Sequence, residues 1–360
     1  MPLTIAEACI APLALRFRHP LRTATGEFHE RRGVRLTLVD EQGLEGRGEA
    51  APWPGFGTES VAEAETFLRY ATRGLPGQAI DPTAWPEALS TLLTHAPAAR
   101  AALAGALWEL SARVAGQSLA AHLVAHLGPF RGSPLTRVPV HALLTDDEPD
   151  ALLAAAARAR IDGYRAIKLK LGGRPWREDV ERMQAARAGL GPGLALRGDA
   201  NGAWDRASAA QALAALAGCA PEFVEQPLPA EDLEGLATLR RASPVPVAAD
   251  ESVAVCGVQA VLAAGAADVL VLKPALLGGP TAALAAARAA SEAGISVVWT
   301  HAFEGAVGAL HALQVAAAWG DDAPTHGLAT AGVYEDDPHA PAARGGWIKV
   351  PCAAGLGWQP

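Results

Sequence analysis

The hydrophobic pattern divides the chain into two regimes. Up to about residue 60, short apolar runs alternate with turn residues: Leu13–Phe17, then Val34–Val39, a turn at Asp40–Gly43, and Gly46–Ala51. This alternation predicts a small antiparallel sheet. Ala50–Gly57 is too rich in proline and glycine for regular structure and reads as a loop. Two helical stretches follow, Ser60–Arg73 and Ala98–Ala115, the second with Leu103, Leu107, Leu110 and Val114 at helical spacing.

From Val138 onward the pattern becomes a repeated unit: an apolar strand ending in a polar residue, a turn, then an alanine-rich helix. Strands are expected at Val138–Ala142, Ala166–Leu171, Leu194–Asp199, Phe223–Glu225, Val247–Asp250, Val269–Lys273 and Ser296–Thr300, with a weaker eighth near Gly327. Strands separated by single helices predict a parallel sheet, and seven or eight units favour a closed α/β barrel over an open sheet.

Composition narrows the function classes. Apolar residues make up 50% of the 360 and charged residues 19%, enough for a sizeable core and too apolar for disorder. The net charge of −8 and the lack of any basic block make nucleic acid an unexpected partner. No apolar run approaches the ~18 residues of a membrane span, and Met1–Ile10 lacks the charged start of a secretory signal. A cytoplasmic protein with no membrane partner is therefore expected. Cys9, Cys219, Cys256 and Cys352 show no metal-ligand spacing and read as buried thiols. No dinucleotide or phosphate-loop fingerprint is present.

One bias is informative. Only four of the 30 basic residues are lysines, Lys168, Lys170, Lys273 and Lys349. An ammonium can lose its proton in a protein and a guanidinium effectively cannot, so retained lysines invite a chemical reading. Lys349 lies outside the repeated units and reads as solvated.

Barrel active sites lie at the carboxyl ends of the strands. The residues found there are Lys168, Lys170, Asp199, Glu225, Asp250 and Lys273. The intervals from Lys170 to Asp199, and on to Glu225, Asp250 and Lys273, are 29, 26, 25 and 23 residues, one strand-helix unit each. Three carboxylates on successive strands repel one another unless a cation lies between them, and an all-oxygen set suits Mg²⁺ or Mn²⁺. The plainer reading of each acid alone is a helix cap or an ion-pair partner. Lys168 and Lys170 point to one face, where two ammoniums depress each other's pKa and make Lys170 a candidate base, with Lys273 facing them. Solvated strand-end lysines are the alternative. Asn201, the only asparagine, either orients a ligand or merely forms a turn, and Glu251 reads as supporting the ligands rather than joining them. His122 and His126 lack a third ligand and read as structural or solvated; His301 is an unassigned candidate near the mouth.

Lys-Leu-Lys at 168–170, Gly-Asp-Ala-Asn-Gly at 198–202, Val-Glu-Gln-Pro-Leu at 224–228, Ala-Asp-Glu-Ser at 249–252 and Leu-Lys-Pro at 272–274 together resemble the muconate-lactonising branch of the enolase superfamily. The resemblance spans nearly the whole chain. It implies a (β/α)7β modified TIM barrel over 135–320, an α+β capping domain over 1–125, and a segment 321–360 returning to that domain. It also implies Mg²⁺ on Asp199, Glu225 and Asp250, α-proton abstraction by Lys170, enediolate stabilisation by Lys273, and support from Lys168.

Within the branch, Pro52–Gly57 and Phe303–Gly308 look most like the o-succinylbenzoate synthase family, whose reaction is a dehydration in menaquinone synthesis. Phe303 and Gly305 are then substrate-binding candidates, with backbone N–H groups near Gly305 standing in for the family's serines. The branch's dipeptide epimerases usually carry Asp-x-Asp after the seventh strand, where this chain has Thr300-His301-Ala302-Phe303-Glu304. An N-succinylamino acid racemase is the alternative enzyme, and a non-catalytic scaffold the distant one. The expected partners are a small-molecule carboxylate substrate and, in a homo-oligomer, further copies of the chain. Loops Thr23–Gly26 and Pro52–Gly57 are expected to close over the substrate.

Overall fold

The computed structural model describes residues 3–23, 26–82, 95–146 and 148–357. Ala24 and Thr25 of the first expected closing loop lie outside the described residues. The N-terminal sheet contains β1 (Leu3–Thr23), β2 (Gly26–Asp40), β3 (Glu45–Ala50) and β4 (Ala79–Ile80), in the order β3-β2-β1-β4, all antiparallel. β1 and β2 run well beyond the apolar runs at Leu13–Phe17 and Val34–Val39. β1 carries buried Leu3 and Ile5 ahead of its run, while residues 26–33 of β2 are mostly polar and owe their place to pairing with β1.

One face of this sheet packs on the helix Pro97–Val114, which is buried almost all round. A helix apolar on every side must lie between two layers. Its Leu103 and Leu107 join the core of the sheet, while Trp108 and Ala112 join the barrel core, and the Trp108 indole donates to Thr281 Oγ1 at 2.9 Å. The backbones come so close that a Cβ at Gly48 would collide with the Ala102 carbonyl oxygen.

The barrel strands are β6 (Ala142–Leu144), β7 (Ala166–Lys170), β8 (Ala195–Asp199), β9 (Phe223–Glu225), β10 (Val247–Ala249), β11 (Val269–Leu272) and β12 (Ser296–Trp299), parallel and adjacent in sequence order. The expected eighth strand near Gly327 is reduced to two bridge residues that close the ring. His326 bridges Val140 and Gly327 bridges Thr300, both in parallel sense. The expected first strand, Val138–Ala142, is split. Arg137–Pro139 instead forms β5, which pairs antiparallel with β14 (Trp347–Lys349) of the C-terminal hairpin begun by β13 (Ala343–Arg344). Inside the barrel, Phe223, Ala248, Val271 and Val298 form an apolar plug. Arg197 is buried beside it, paired with Glu222 at 2.6 Å and stacked on Phe223.

The thiols are not uniformly buried as expected. Cys219 is, but Cys9 faces outward from β1 and Cys352 lies exposed after β14. Among the described residues no helix is long and apolar enough to cross a membrane.

The two layers meet through a buried carboxylate. Glu49 on β3 accepts the Gly305 and Gly308 amides, at 2.5 and 3.3 Å, at the start of the helix Ala306–Trp319. Burial first, then the Glu304 charge, push the Glu49 carboxyl up to about 7 against the pull of these amides. A carboxyl raised in the folded state favours folding below its unfolded value of 4.5, and that advantage fades as pH rises to about 7. Glu49→Gln should therefore flatten the pH dependence of unfolding free energy between these limits by about 3 kcal/mol. A curve parallel to the native one would contradict the assignment. Gly48→Ala should destabilise by roughly 1–3 kcal/mol through overpacking, whereas Gly173→Ala, which meets nothing within 4 Å, should leave the urea midpoint nearly unchanged. Equal midpoints for the two variants would refute the close contact.

Candidate active site

The parallel register brings the strand-end residues to one rim. Lys170 pairs with Asp199 across β7 and β8, and Asp199 with Glu225 across β8 and β9. Asp250 follows β10 and Lys273 follows β11. Lys168 and Lys170 share the inward face. Lys168 Nζ lies 2.7 Å from Asp199 Oδ2 and 2.6 Å from Glu225 Oε1. Lys170 Nζ lies 2.8 Å from both Asp199 Oδ2 and Asn201 Oδ1. Lys273 Nζ pairs with Asp250 Oδ1. Lys170 is the most open of the three, 42% exposed against 11% for Lys168 and 9% for Lys273.

Burial of Lys168 works to lower its pKa, but Asp199, Glu225 and Asp250 outweigh it and hold the ammonium well above its ordinary range. Mutual depression of the two lysines is thus not what governs Lys168. Burial likewise disfavours the charged form of Lys273, which Asp250, Glu251 and Glu225 restore. Burial would raise Asp199, yet Lys168 and Lys170 bring it below the usual carboxylate range. Glu225 is pushed up to about 8, by burial and then by the Asp199 charge.

Among the described residues no three carboxylate, imidazole or thiol side chains form a ready coordination shell. Lys168 intervenes between Asp199 and Glu225, and Lys273 caps Asp250. The donors nonetheless fit a hard divalent ion: three buried carboxyl groups at the ends of adjacent strands offer an all-oxygen set.

The supporting residues form a network. Asn201, at φ 45°, donates its amide N–H to Asp199 Oδ1 at 3.2 Å and its side-chain Nδ2 to Glu251 Oε1 at 2.9 Å. Burial, then Asp250 and Asp199, push Glu251 up to about 7. Gln226, directly after Glu225, is fully buried, and its Oε1 accepts the Asp250 and Ser252 amides at 3.0 and 3.1 Å. Its Nε2 donates to Ser252 Oγ and the Leu228 carbonyl, both at 2.8 Å. Its role went unread in the sequence, although it stands inside the motif that carries Glu225. Phe56, from the loop after β3, lies 5.1 Å from Lys273 Nζ, ring face to ammonium.

The remaining candidates are engaged by other groups of the chain. The Phe303 carbonyl accepts from Arg31 Nε at 3.2 Å and the Tyr334 hydroxyl at 2.5 Å, and its ring packs near Phe17 and Trp53. The Gly305 amide donates to Glu49 Oε1 at 2.5 Å. His301 is buried, with Thr330 Oγ1 2.5 Å from Nε2 and the Phe303 amide donating to Nδ1. His122 bonds Ser111 and Gln117, and His126 bonds the His122 carbonyl, beside the Trp108 ring. Lys349 is exposed on β14.

Comparison with known proteins agrees with this architecture. Residues 151–360 match the "Enolase C-terminal domain-like" family model and residues 5–123 match "Mandelate racemase / muconate lactonizing enzyme, N-terminal domain". An o-succinylbenzoate synthase from Thermosynechococcus vestitus is 33% identical over 315 residues, covering 86% of this chain and 88% of its own. One from Mycobacterium tuberculosis is 41% identical over 212 residues, covering 58% and 62%. The crystal structure of a dipeptide epimerase from Cytophaga hutchinsonii, complexed with Mg and the dipeptide D-Ala-L-Val, superposes with a TM-score of 0.87 at 26% identity, covering 99% and 95%. The chain belongs to the enolase superfamily, as a member of its mandelate racemase and muconate lactonizing enzyme group.

Proposed function

We propose that the chain is an o-succinylbenzoate synthase, converting 2-succinyl-6-hydroxy-2,4-cyclohexadiene-1-carboxylate to 2-succinylbenzoate and water by syn elimination. The observation that carries this reading is the pair Lys170 and Lys273 flanking three buried carboxylates on successive strands. The 33% and 41% identical relatives bearing that name support it.

Asp199, Glu225 and Asp250 would hold Mg²⁺, or Mn²⁺ in its place. When bound, the ion supplies divalent charge that offsets the negative charge gathering on the substrate carboxylate. Lys170, as free amine, takes the α-proton, and Asp199 and Asn201 fix its Nζ in position. Proton removal turns the carboxylate into an enediolate, and the Lys273 ammonium donates to it as the charge develops. The C–O bond to the ring hydroxyl then breaks and the ring becomes aromatic. Lys170 returns its proton to the departing hydroxide on the same face, so the products are 2-succinylbenzoate and water. Lys168 remains an ammonium, compensating Asp199 and Glu225.

A lysine at each end of the cluster also suits proton exchange on both faces of an α-carbon, which is the chemistry of an N-succinylamino acid racemase. Incubation of N-succinyl amino acids in deuterated buffer, followed by NMR at the α-position, separates the readings. Dehydration with little exchange is expected; fast exchange without dehydration would replace the synthase by the racemase.

Lys170→Arg keeps charge and approximate length but cannot act as a base. Its turnover of the cyclohexadiene carboxylate should fall below detection, and retention of a tenth of native kcat would remove Lys170 from the role. Glu225→Gln should weaken Mg²⁺ binding by at least about tenfold in calorimetry, the loss of one charged oxygen ligand; an unchanged Kd would sink the ligand assignment.

A further inference from the structure

Lys170 is the last residue of β7, and on the β6 side its backbone runs out of sheet partners. The pairing of β6 with β7 stops at Leu144 and Leu169, so no β6 residue donates to the Lys170 carbonyl. A guanidinium from the helix Trp176–Leu190 takes the missing place. Arg182 NH1 donates to the Lys170 carbonyl at 2.9 Å, and NH2 donates to the Asp146 carbonyl, just beyond β6, at 3.0 Å. The planar fork thus spans the diverging ends of the two strands.

The same guanidinium is held by Asp179, one turn earlier, whose Oδ1 accepts from NH1 at 2.9 Å. The other oxygen, Oδ2, accepts the Gly172 amide at 2.7 Å. Asp179 is fully buried and Arg182 is 7% exposed. On the β8 side, the Leu171 amide donates to the Asp199 carbonyl at 2.7 Å. Gly172 turns the chain away at φ 82°, and a Cβ there would meet Ala203 Cβ at 2.5 Å and the Ala200 carbonyl oxygen at 2.7 Å. The peptide that follows Lys170 is therefore gripped through both its polar groups, the C=O by Arg182 and the N–H by the Asp199 carbonyl, and the next peptide is held by Asp179 through the Gly172 amide.

We propose that Asp179 and Arg182 form a positioning pair for Lys170, fixing the backbone from which the amine is aimed, so that its tip, already held by Asp199 and Asn201, stays in line with the α-proton. The inference rests on the reading of Lys170 as the base. Proton transfer is sensitive to displacements well under 1 Å, and supporting groups of this kind affect the chemical step more than substrate binding.

The test uses Arg182→Lys, Arg182→Met and Asp179→Asn in the full chain. Arg182→Lys keeps the charge beside Asp179 but cannot bridge the Lys170 and Asp146 carbonyls together. In variants with native circular dichroism, kcat for dehydration should fall at least about tenfold while KM stays within about twofold. Arg182→Lys should not restore kcat, and Asp179→Asn, which keeps an acceptor for Gly172, should lose less than Arg182→Met. Should Arg182→Met fail to fold, the two conservative variants carry the test.

A second readout needs no turnover. Trace acetylation with acetic anhydride, followed by peptide mass spectrometry, gives the reactivity of Lys170 relative to exposed Lys349. That ratio should shift by about twofold or more in the Arg182 variants, reflecting a mispositioned amine. A native ratio in a folded variant overturns the positioning role, even where thermal stability has dropped. Because labelling is independent of substrate, it decides the inference even if the native protein fails to dehydrate the cyclohexadiene carboxylate.

Discussion

The structure depends on the burial of opposite charges at the carboxyl end of the barrel. Asp199, Glu225 and Asp250 have almost no contact with water, and each lies at the end of a different strand. Isolated ionised carboxylates in such surroundings cost several kcal/mol apiece. Lys168 and Lys273 offset part of this cost through short ion pairs, and the burial they do not offset appears as a raised Glu225. The arrangement requires every strand to end in register, because a one-residue slip would turn a charged side chain into the helix layer. A buried cluster of carboxylates interleaved with ammoniums is suited to hold a divalent cation and to stabilise new negative charge beside it.

The capping layer attaches to this rim through a second polar assembly. Arg31 on β2 donates to the Pro52 carbonyl at 2.7 Å and to the Ala51 carbonyl on one side, and to the Phe303 carbonyl at 3.2 Å on the other. It stacks on Trp53 with the guanidinium carbon 4.6 Å from the ring centroid. Glu49 reaches the same barrel loop from β3. The loop that places Phe56 over Lys273 is thereby tied to the segment following β12, so the two layers jointly define the mouth. Phe303 and Gly305, read in the sequence as substrate contacts, serve this attachment through their backbones.

The repeating units and strand-end charges were legible because a barrel imposes a fixed period on its polar residues. Asp199, Glu225, Asp250, Lys168, Lys170 and Lys273 each occupy a position that hydrophobic patterning alone can identify. What remained hidden depends on tertiary contact. The full length of β1 and β2 reflects the pairing of the two strands with each other, and the split at Val140 reflects competition between the C-terminal hairpin and the barrel for one segment. Ring closure by His326 and Gly327 involves too few residues to leave a periodic signal. Gln226, Arg31 and Asp179 act through backbone groups distant in sequence, and no spacing rule connects them to their partners.

The most direct measurement follows 2-succinyl-6-hydroxy-2,4-cyclohexadiene-1-carboxylate in a spectrophotometer, using protein stripped with EDTA and then titrated with Mg²⁺. The account predicts no conversion by the stripped protein and saturable, Mg²⁺-restored formation of 2-succinylbenzoate. Absence of that product at saturating Mg²⁺ or Mn²⁺, from protein that binds the metal, would contradict it.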